Sequence, residues 1–195
     1  MAQARIVMHR YLWLCGPQQK QTKGAWAAAR AVRPQQRMDE NAKKEALRLF
    51  TYGLYAVTTG DADTWNAFTA NWLSQVSFDP PLLAVSVENA SFSLPLIRRA
   101  GRFAVNVFDA EQRELAGRLG KSFSKRPEKL DGLSIERTDA GCPVLLDGLA
   151  WVECVVESEL PAGDSTIVLG RVTDARVLRR AEPLTMLAAG FKHAG

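Results

Sequence analysis

Thr69 to Pro81 reads TANWLSQVSFDPP, a run in which small hydroxyl and amide side chains alternate with apolar ones until two prolines stop it. An extended chain points successive side chains to opposite faces. Thr69 and Asn71 therefore share one face, and Ser74, Gln75 and Ser77 continue the supply of hydrogen-bonding groups across a bend. The run contains no histidine or cysteine, so it suits a flat, polar, anion-bearing ligand better than a metal or a nucleophile. Ser/Thr-rich loops are also ordinary in β domains, and the run alone does not separate the two readings.

The flanking sequence is rich in strands. Aromatic and β-branched residues predict a strand over Tyr52–Thr59, closed by a turn at Gly60 and Asp61. Trp65–Leu73 and Leu82–Val87 give two more, with Pro80 and Pro81 marking the exit from the polar turn between them. Ser91–Arg99 reads as a helix: Pro95 fits a first turn, Arg98 and Arg99 sit near the negative end of the dipole, and Gly101 stops it. Phe103–Phe108 is the next strand and Glu111–Leu119 a second short helix, followed by a charged loop over Lys121–Asp131. Leu149–Glu159 and Thr166–Val172 are long alternating strands, with Arg176–Arg180 as an edge continuation. Strands separated by turns, without regular helical crossovers, predict a mainly β, antiparallel fold with short helices, closed or partly closed into a barrel.

Length and composition set the bounds. With 195 residues, 47% of them hydrophobic and 24% charged, the chain fits one globular domain. No apolar run approaches the ~20 residues that cross a bilayer, so no membrane association is expected. Cys15, Cys142 and Cys154 are odd in number and lack C-x-x-C spacing, which points to reduced thiols and a cytoplasmic location. Cys154 alternates with Val152 and Val156 as a core residue would, whereas Cys142 reads as exposed in its Ala-Gly-Cys-Pro turn. Two histidines, His9 and His193, near opposite ends, argue against a His-rich metal site or a His-centred triad. No metal site is expected.

The net charge of +4 belongs to the head. Residues 1–37 hold seven Lys or Arg and no acid, leaving 18 basic and 21 acidic residues beyond them. The head's charges are scattered and its aromatics sparse, which does not suit nucleic-acid binding. It lacks the serines of a transit peptide, and His9 and Arg10 interrupt its only apolar run. Residues 1–37 are therefore expected to be a basic extension outside the domain, its start assigned upstream of the natural one, and 38–195 the domain itself. Met38 opens MDENAKKEALRLF, where Asp39 caps a helix whose Ala42, Ala46, Leu49 and Phe50 recur at helical spacing.

Three stretches, in order, carry a family resemblance: the Thr69–Pro81 run, SFSLPLIRRAGRFAVNVF over Ser91–Phe108, and GDSTIVLGRV over Gly163–Val172. From about Ala46 onward the chain resembles the flavin reductase-like family of FMN-binding split-barrel proteins. The resemblance implies an antiparallel, Greek-key split β-barrel, a homodimer, and a flavin lying along the matching strand and turn. It makes Asn66, Thr69, Asn71, Trp72, Gln75, Val76 and Ser77 candidates for the ribityl chain and ring, although Trp72 alone reads equally as core. Ser91 and Ser93, at the start of a helix where free N–H groups face an anion, become candidates for the phosphate, although Ser91 by itself reads as a helix cap.

The implied activity is transfer of hydride from NADH or NADPH to FMN, or FAD, with reduced flavin delivered to a partner such as a monooxygenase. The cofactors carry the electrons and the protein orients them, so a scarcity of histidine does no harm. No Gly-x-Gly-x-x-Gly fingerprint occurs, so nicotinamide would bind transiently on the flavin face. One departure stands out: Gly163-Asp164-Ser165 occupies the place of the family's Gly-Asp-His triplet, and Ser165 cannot carry a proton at neutral pH as histidine does. His193, in a C-terminal GFKHAG where the family has Tyr, either reaches the site or belongs to a solvated tail. Ser165 thus leaves open a flavin-binding electron carrier or ferric-reducing protein supplied by another protein. A cofactor-free barrel acting as an interaction module is the third reading.

Overall fold

The computed structural model describes residues 38–192; the basic extension over 1–37 and His193 lie outside the described residues. The chain runs through α1 (Glu40–Arg48), β1 (Tyr55–Gly60), β2 (Trp65–Ala70), β3 (Leu73–Phe78), β4 (Pro81–Glu88), α2 (Ser93–Ala100) and β5 (Arg102–Val107). It continues through α3 (Arg113–Leu119), a 3-10 turn (Pro127–Leu130), β6 (Ile135–Arg137), β7 (Pro143–Leu145), β8 (Ala150–Ala162), β9 (Ser165–Val177) and α4 (Met186–Ala189).

Seven strands form one antiparallel sheet in the order β2-β1-β5-β8-β9-β4-β3, and β6 pairs with β7 beside it. The two edge strands, β2 and β3, are consecutive in the chain. Six inter-strand spacings would put the edges of a flat sheet ~29 Å apart, yet Asn71 and Trp72, the two residues between them, span at most ~11 Å from Ala70 to Leu73. The sheet must therefore curl until its edges approach. On the β3 side, Ser86 N–H of β4 donates to the Trp72 carbonyl at 3.0 Å and extends the β3–β4 ladder into the crossing. No ladder joins β2 to β3, so the curl stays open rather than closing into a barrel.

This curl corrects the expected Trp65–Leu73 strand, which breaks after Ala70 because the chain changes edges there. The polar residues Ser74, Gln75 and Ser77, expected in a bend, form edge strand β3 against β4, with a register shift between Gln75 and Ser77. The expected edge continuation over Arg176–Arg180 is present as the end of β9, where β4 has stopped and only β8 pairs: Val177 pairs with Ala150, and the N–H groups of Leu178 and Arg179 donate to the Leu149 carbonyl. Cys142, expected in an exposed turn, is fully buried beside Ala104, Val144 and Trp151, because the short β6–β7 sheet folds its turn onto the back of β5.

Two apolar clusters sandwich the centre of the sheet. Val57, Val85, Phe103, Val105 and Val168 fill the inside of the curl under Leu94 and Ile97 of α2. Ala56, Ala67 and Leu145 form the opposite side with Ala116 and Leu119 of α3. β1 and β5 are thus buried on both faces. Asn106, fully buried on β5, is satisfied throughout: its Nδ2 donates to the Ala56 carbonyl and to Thr58 Oγ1, each at 3.0 Å, and its Oδ1 accepts from Leu145 N at 2.8 Å. A buried amide with every group paired fixes register between elements rather than binding ligand. Helix α1, by contrast, buries none of its residues, and Leu49 and Phe50 just beyond it are 82% and 61% exposed.

Candidate functional site

Where the edges of the curl approach, a cavity of about 400 Å³ opens between the end of β2, the end of β4, the start of α2 and the loop after α3. That volume lies within the roughly 300–1,000 Å³ usual for small-molecule sites. It brings together Asn66, Thr69, Asn71, Trp72, Ser91 and Ser93 from the sequence candidates, and Ser165 as well. Gln75, Val76 and Ser77 lie outside it, on the exposed edge strand β3, where Gln75 Nε2 donates to the Ser77 carbonyl at 3.1 Å.

Each side chain is held by a different element. Asn66 is 2% exposed; its Nδ2 donates to Ser93 Oγ at 2.8 Å, and its Oδ1 has no hydrogen-bond partner. A buried acceptor left unpaired on a cavity wall costs free energy until a donor reaches it. Thr69 Oγ1 donates to the Ala116 carbonyl at 2.6 Å, tying β2 to α3. Asn71 Nδ2 contacts Met186 Sδ at 3.3 Å, tying the edge crossing to α4.

Helix α2 starts two residues later than expected, at Ser93, because Ser91 caps from outside: its Oγ accepts from Leu94 N at 3.2 Å. The remaining first-turn N–H groups have no acceptor within the helix and carry its positive dipole end. The C-terminal stop at Gly101 is left-handed, φ 65°, and donates to the Ile97 carbonyl, as a glycine after the last turn allows.

Beside the end of β4, where Glu88 pairs with it, Ser165 is buried at the head of β9 and donates to Asp164 Oδ1 at 3.1 Å. Thr166 Oγ1 donates to Asn89 Oδ1 at 2.7 Å and Asn89 Nδ2 donates to the Gly163 carbonyl at 3.2 Å, pinning this hairpin to the end of β4. The loop after α3, read from sequence only as charged, supplies the rest. Phe123 stacks on Phe92, ring centres 4.4 Å apart and 22° from parallel, across the mouth. Lys129, on the 3-10 turn, is 2% exposed, and burial pushes its ammonium down to about 8. No sequence periodicity marks a buried lysine in a charged stretch.

A second, apolar hollow of about 320 Å³ lies against Tyr52, Leu73, Ala84 and Ile167. Trp72 and Ser86 line both hollows. The pair offers a polar, hydroxyl-rich compartment next to an apolar one. That division fits a nucleotide with a phosphorylated polyol at one end and an aromatic ring at the other. Among the described residues, no group of three or more His, Cys, Asp or Glu could hold a metal ion, and no helix is long and apolar enough to cross a membrane.

The model of the flavin reductase like domain matches residues 47–195. The chain belongs to that family. A flavin reductase from Pseudomonas putida is 32% identical over 149 residues, covering 76% of this chain and 86% of that protein. A high molecular weight rubredoxin from Moorella thermoacetica is 34% identical over 72% of this chain, which spans only 62% of the rubredoxin's length. Among solved structures, a nitrilotriacetate monooxygenase component B homolog from Mycobacterium thermoresistibile superposes with a TM-score of 0.69 at 28% identity, covering 75% of this chain and 82% of that one. The matched residues hold the curled sheet, α2 to α4 and the cavity among them.

Proposed function

We propose that this flavin reductase family member binds FMN, with FAD as the alternative, and reduces it with NADH or NADPH. The observation that carries the reading is the cavity itself: Asn66, whose buried Oδ1 has no hydrogen-bond partner, lines it together with Ser91, Ser93 and the start of α2. An acceptor at one place and an anion-seeking helix start beside it match a polyol next to a phosphate. Bound flavin supplies the acceptor for the hydride that the nicotinamide brings. The chain's own contribution is binding and orientation. Ser91, Ser93 and the first turn of α2 hold the phosphate, and Asn66 and Thr69 hold the polyol. Asn71, Trp72 and the second hollow cover the ring, with Gln75, Val76 and Ser77 on its rim along β3.

The domain spans residues 38–195, and the functional protein is a cytoplasmic homodimer. The apolar side chains left outside on β3, Val76 at 53% and Phe78 at 90% exposure, support a second copy covering that edge. The name of the component B homolog supports a monooxygenase as the consumer of reduced flavin. Stopped-flow mixing of NADH or NADPH with the FMN-loaded protein tests the activity: bleaching of the flavin absorbance supports it, and an unchanged spectrum with both donors refutes it.

Ser165 favours one second reading. Its buried hydroxyl, already donating to Asp164, offers no titratable group where the family's histidine stands. A flavin-binding electron carrier fed by another protein would need none. Bleaching by a protein donor but not by either nicotinamide selects that reading.

A further inference from the structure

Lys129 is the cation of the cavity that nothing yet accounts for. Its Nζ donates to the Leu119 carbonyl at 3.1 Å and to the Lys121 carbonyl at 2.9 Å. An ammonium has three protons, so one is left. Among the described residues no carboxylate lies within ion-pair distance of it, although the residue is only 2% exposed. A buried ammonium bonded to neutral carbonyls alone is an incomplete arrangement. Desolvating a charge is costly unless an opposite charge meets it, and the depressed pKa, about 8, expresses that cost.

Capping the end of α3 accounts for the two carbonyls, since a cation is favoured there. It does not account for the burial, because a capping lysine needs no cavity beside it and ordinarily keeps its head in water. Lys129 lines the same cavity as Ser91 and Ser93 of the α2 start, as do Gly120 and Ser122, and the Phe92–Phe123 stack brings its loop against that helix start. Among the described residues, the other charged groups on the wall are Lys121 and Glu88, both exposed. The position therefore has the chemistry of one jaw of an anion clamp, and the start of α2 has that of the other.

We infer that Lys129 is the buried counter-ion of the flavin phosphate, closing on it from the side of the α3 loop and making the site discriminate phosphorylated flavins from riboflavin. This rests on the flavin reading of the cavity and adds to it a residue, a charge and a specificity. The same two carbonyl bonds hold the Gly120–Phe123 loop, and with it the Phe92–Phe123 stack, in place against the phosphate end.

The test is a pair of fluorescence titrations, FMN and riboflavin, on the wild type and on Lys129→Gln and Lys129→Arg. Glutamine keeps amide donors for the Leu119 and Lys121 carbonyls and removes the charge; arginine keeps both. In Lys129→Gln the Kd for FMN should rise by roughly 10- to 100-fold, the range for losing a charge-assisted bond, while the Kd for riboflavin changes by less than about twofold. Lys129→Arg should recover most of the FMN preference. If both flavins weaken together the lysine only holds the loop, and if neither weakens it has no part in binding; either result overturns the inference.

Should the variants not fold, the wild type still decides. A buried charge is little screened, so the preference for FMN over riboflavin should persist in 1 M salt; its collapse there assigns it to exposed Lys121 and overturns the inference. Wild-type protein that binds riboflavin and FMN equally well overturns the inference alone, whereas protein that binds neither overturns the flavin reading beneath it.

Discussion

Asn66 on β2 donates its Nδ2 to Ser93 Oγ on the first turn of α2 at 2.8 Å, and both residues are buried. This bond joins the edge of the sheet to the helix start that faces the cavity, so it sets the width of the cavity as well as its polarity. Ser93→Ala leaves both ends of the Asn66 amide unpaired and should cost about 1–3 kcal/mol of stability. Asn66→Ala combined with Ser93→Ala should cost less than the sum of the single changes, since neither partner is then stranded. Urea unfolding of the four proteins measures the coupling. The same Asn66→Ala change should reduce the thermal stabilisation that FMN gives, because Asn66 lines the cavity and holds an acceptor with no partner in the protein.

Gly170 sits in β9 where a Cβ would lie 2.6 Å from the ring carbons Cε1 and Cζ of Phe103 and 2.7 Å from Cys154 Cβ. Phe103 is completely buried, so the ring has no free direction to move in. Gly170→Ala should destabilise the fold by about 1–3 kcal/mol through overpacking. Trimming Phe103 to Leu in the same chain should recover part of that loss, and calorimetry of the single and double variants checks it.

Much of the sheet is legible because its strands alternate and its turns carry Gly, Pro or Asp: the β1–β2 turn at Gly60 and Asp61 is where sequence puts it, and the long strands read over Leu149–Glu159 and Thr166–Val172 fall on β8 and β9. What is not legible is where a strand finds its partner. Alternation tells Thr69 from Ala70 by face, but nothing in TANWLSQVSFDPP says that the chain leaves one edge of the sheet at Asn71 and joins the other at Leu73. That depends on the curl, a property of all seven strands. Ser74, Gln75 and Ser77 looked like a bend because an edge strand exposed to solvent has the composition of a loop. The site divides the same way. Asn66, Thr69, Ser91 and Ser93 are readable as polar groups in segments that the fold brings to one cavity, whereas Lys129 and the Phe92–Phe123 stack are not, because burial and stacking between distant segments leave no local pattern.

Cys142 and Cys154 are both free and fully buried, and burial, with the nearby Glu153 carboxylate adding to it, pushes each thiol up to about 12. The thiolate is the reactive form. Neither should be alkylated by iodoacetamide at pH 8 in the native protein, and both should be once denaturant opens the core; peptide mass spectrometry of the two positions reads the result. Labelling of Cys142 at native-state rates equal to those in denaturant would contradict its place in the core.

Lys129 gives stability a pH dependence of definite sign. Its folded-state pKa lies near 8 against an ordinary 10.5, so between those values the unfolded chain binds more protons than the folded one. Stability therefore rises with pH across that window on account of this residue, and the full penalty of burying its charge is present below pH 8. Other lysines and tyrosines titrate nearby, so the quantity to measure is the difference between wild type and Lys129→Gln in urea midpoint from pH 7 to 10.5 in the absence of flavin. That difference should move in favour of the wild type as pH increases, and a flat difference would mean that the ammonium is not desolvated. Saturating FMN should shift the change to higher pH, since an anion beside the ammonium favours its charged form.

Ser165 offers the sharpest contrast with a reductase that relies on histidine. Its hydroxyl donates to Asp164 Oδ1 and has no proton to give at neutral pH. In the FMN-loaded protein, Ser165→Ala should change the rate of NADH or NADPH oxidation by less than about threefold, the scale of one neutral hydrogen bond or less. The wild-type pH–rate profile should lack a limb near the ordinary histidine pKa of about 6.5 from this position. A tenfold loss in Ser165→Ala would instead place the hydroxyl on the nicotinamide itself, and the loss should then fall on kcat/KM for the nicotinamide while the FMN affinity stays unchanged. Stopped-flow rates at several nicotinamide concentrations, read beside a flavin titration of the same variant, separate the two outcomes.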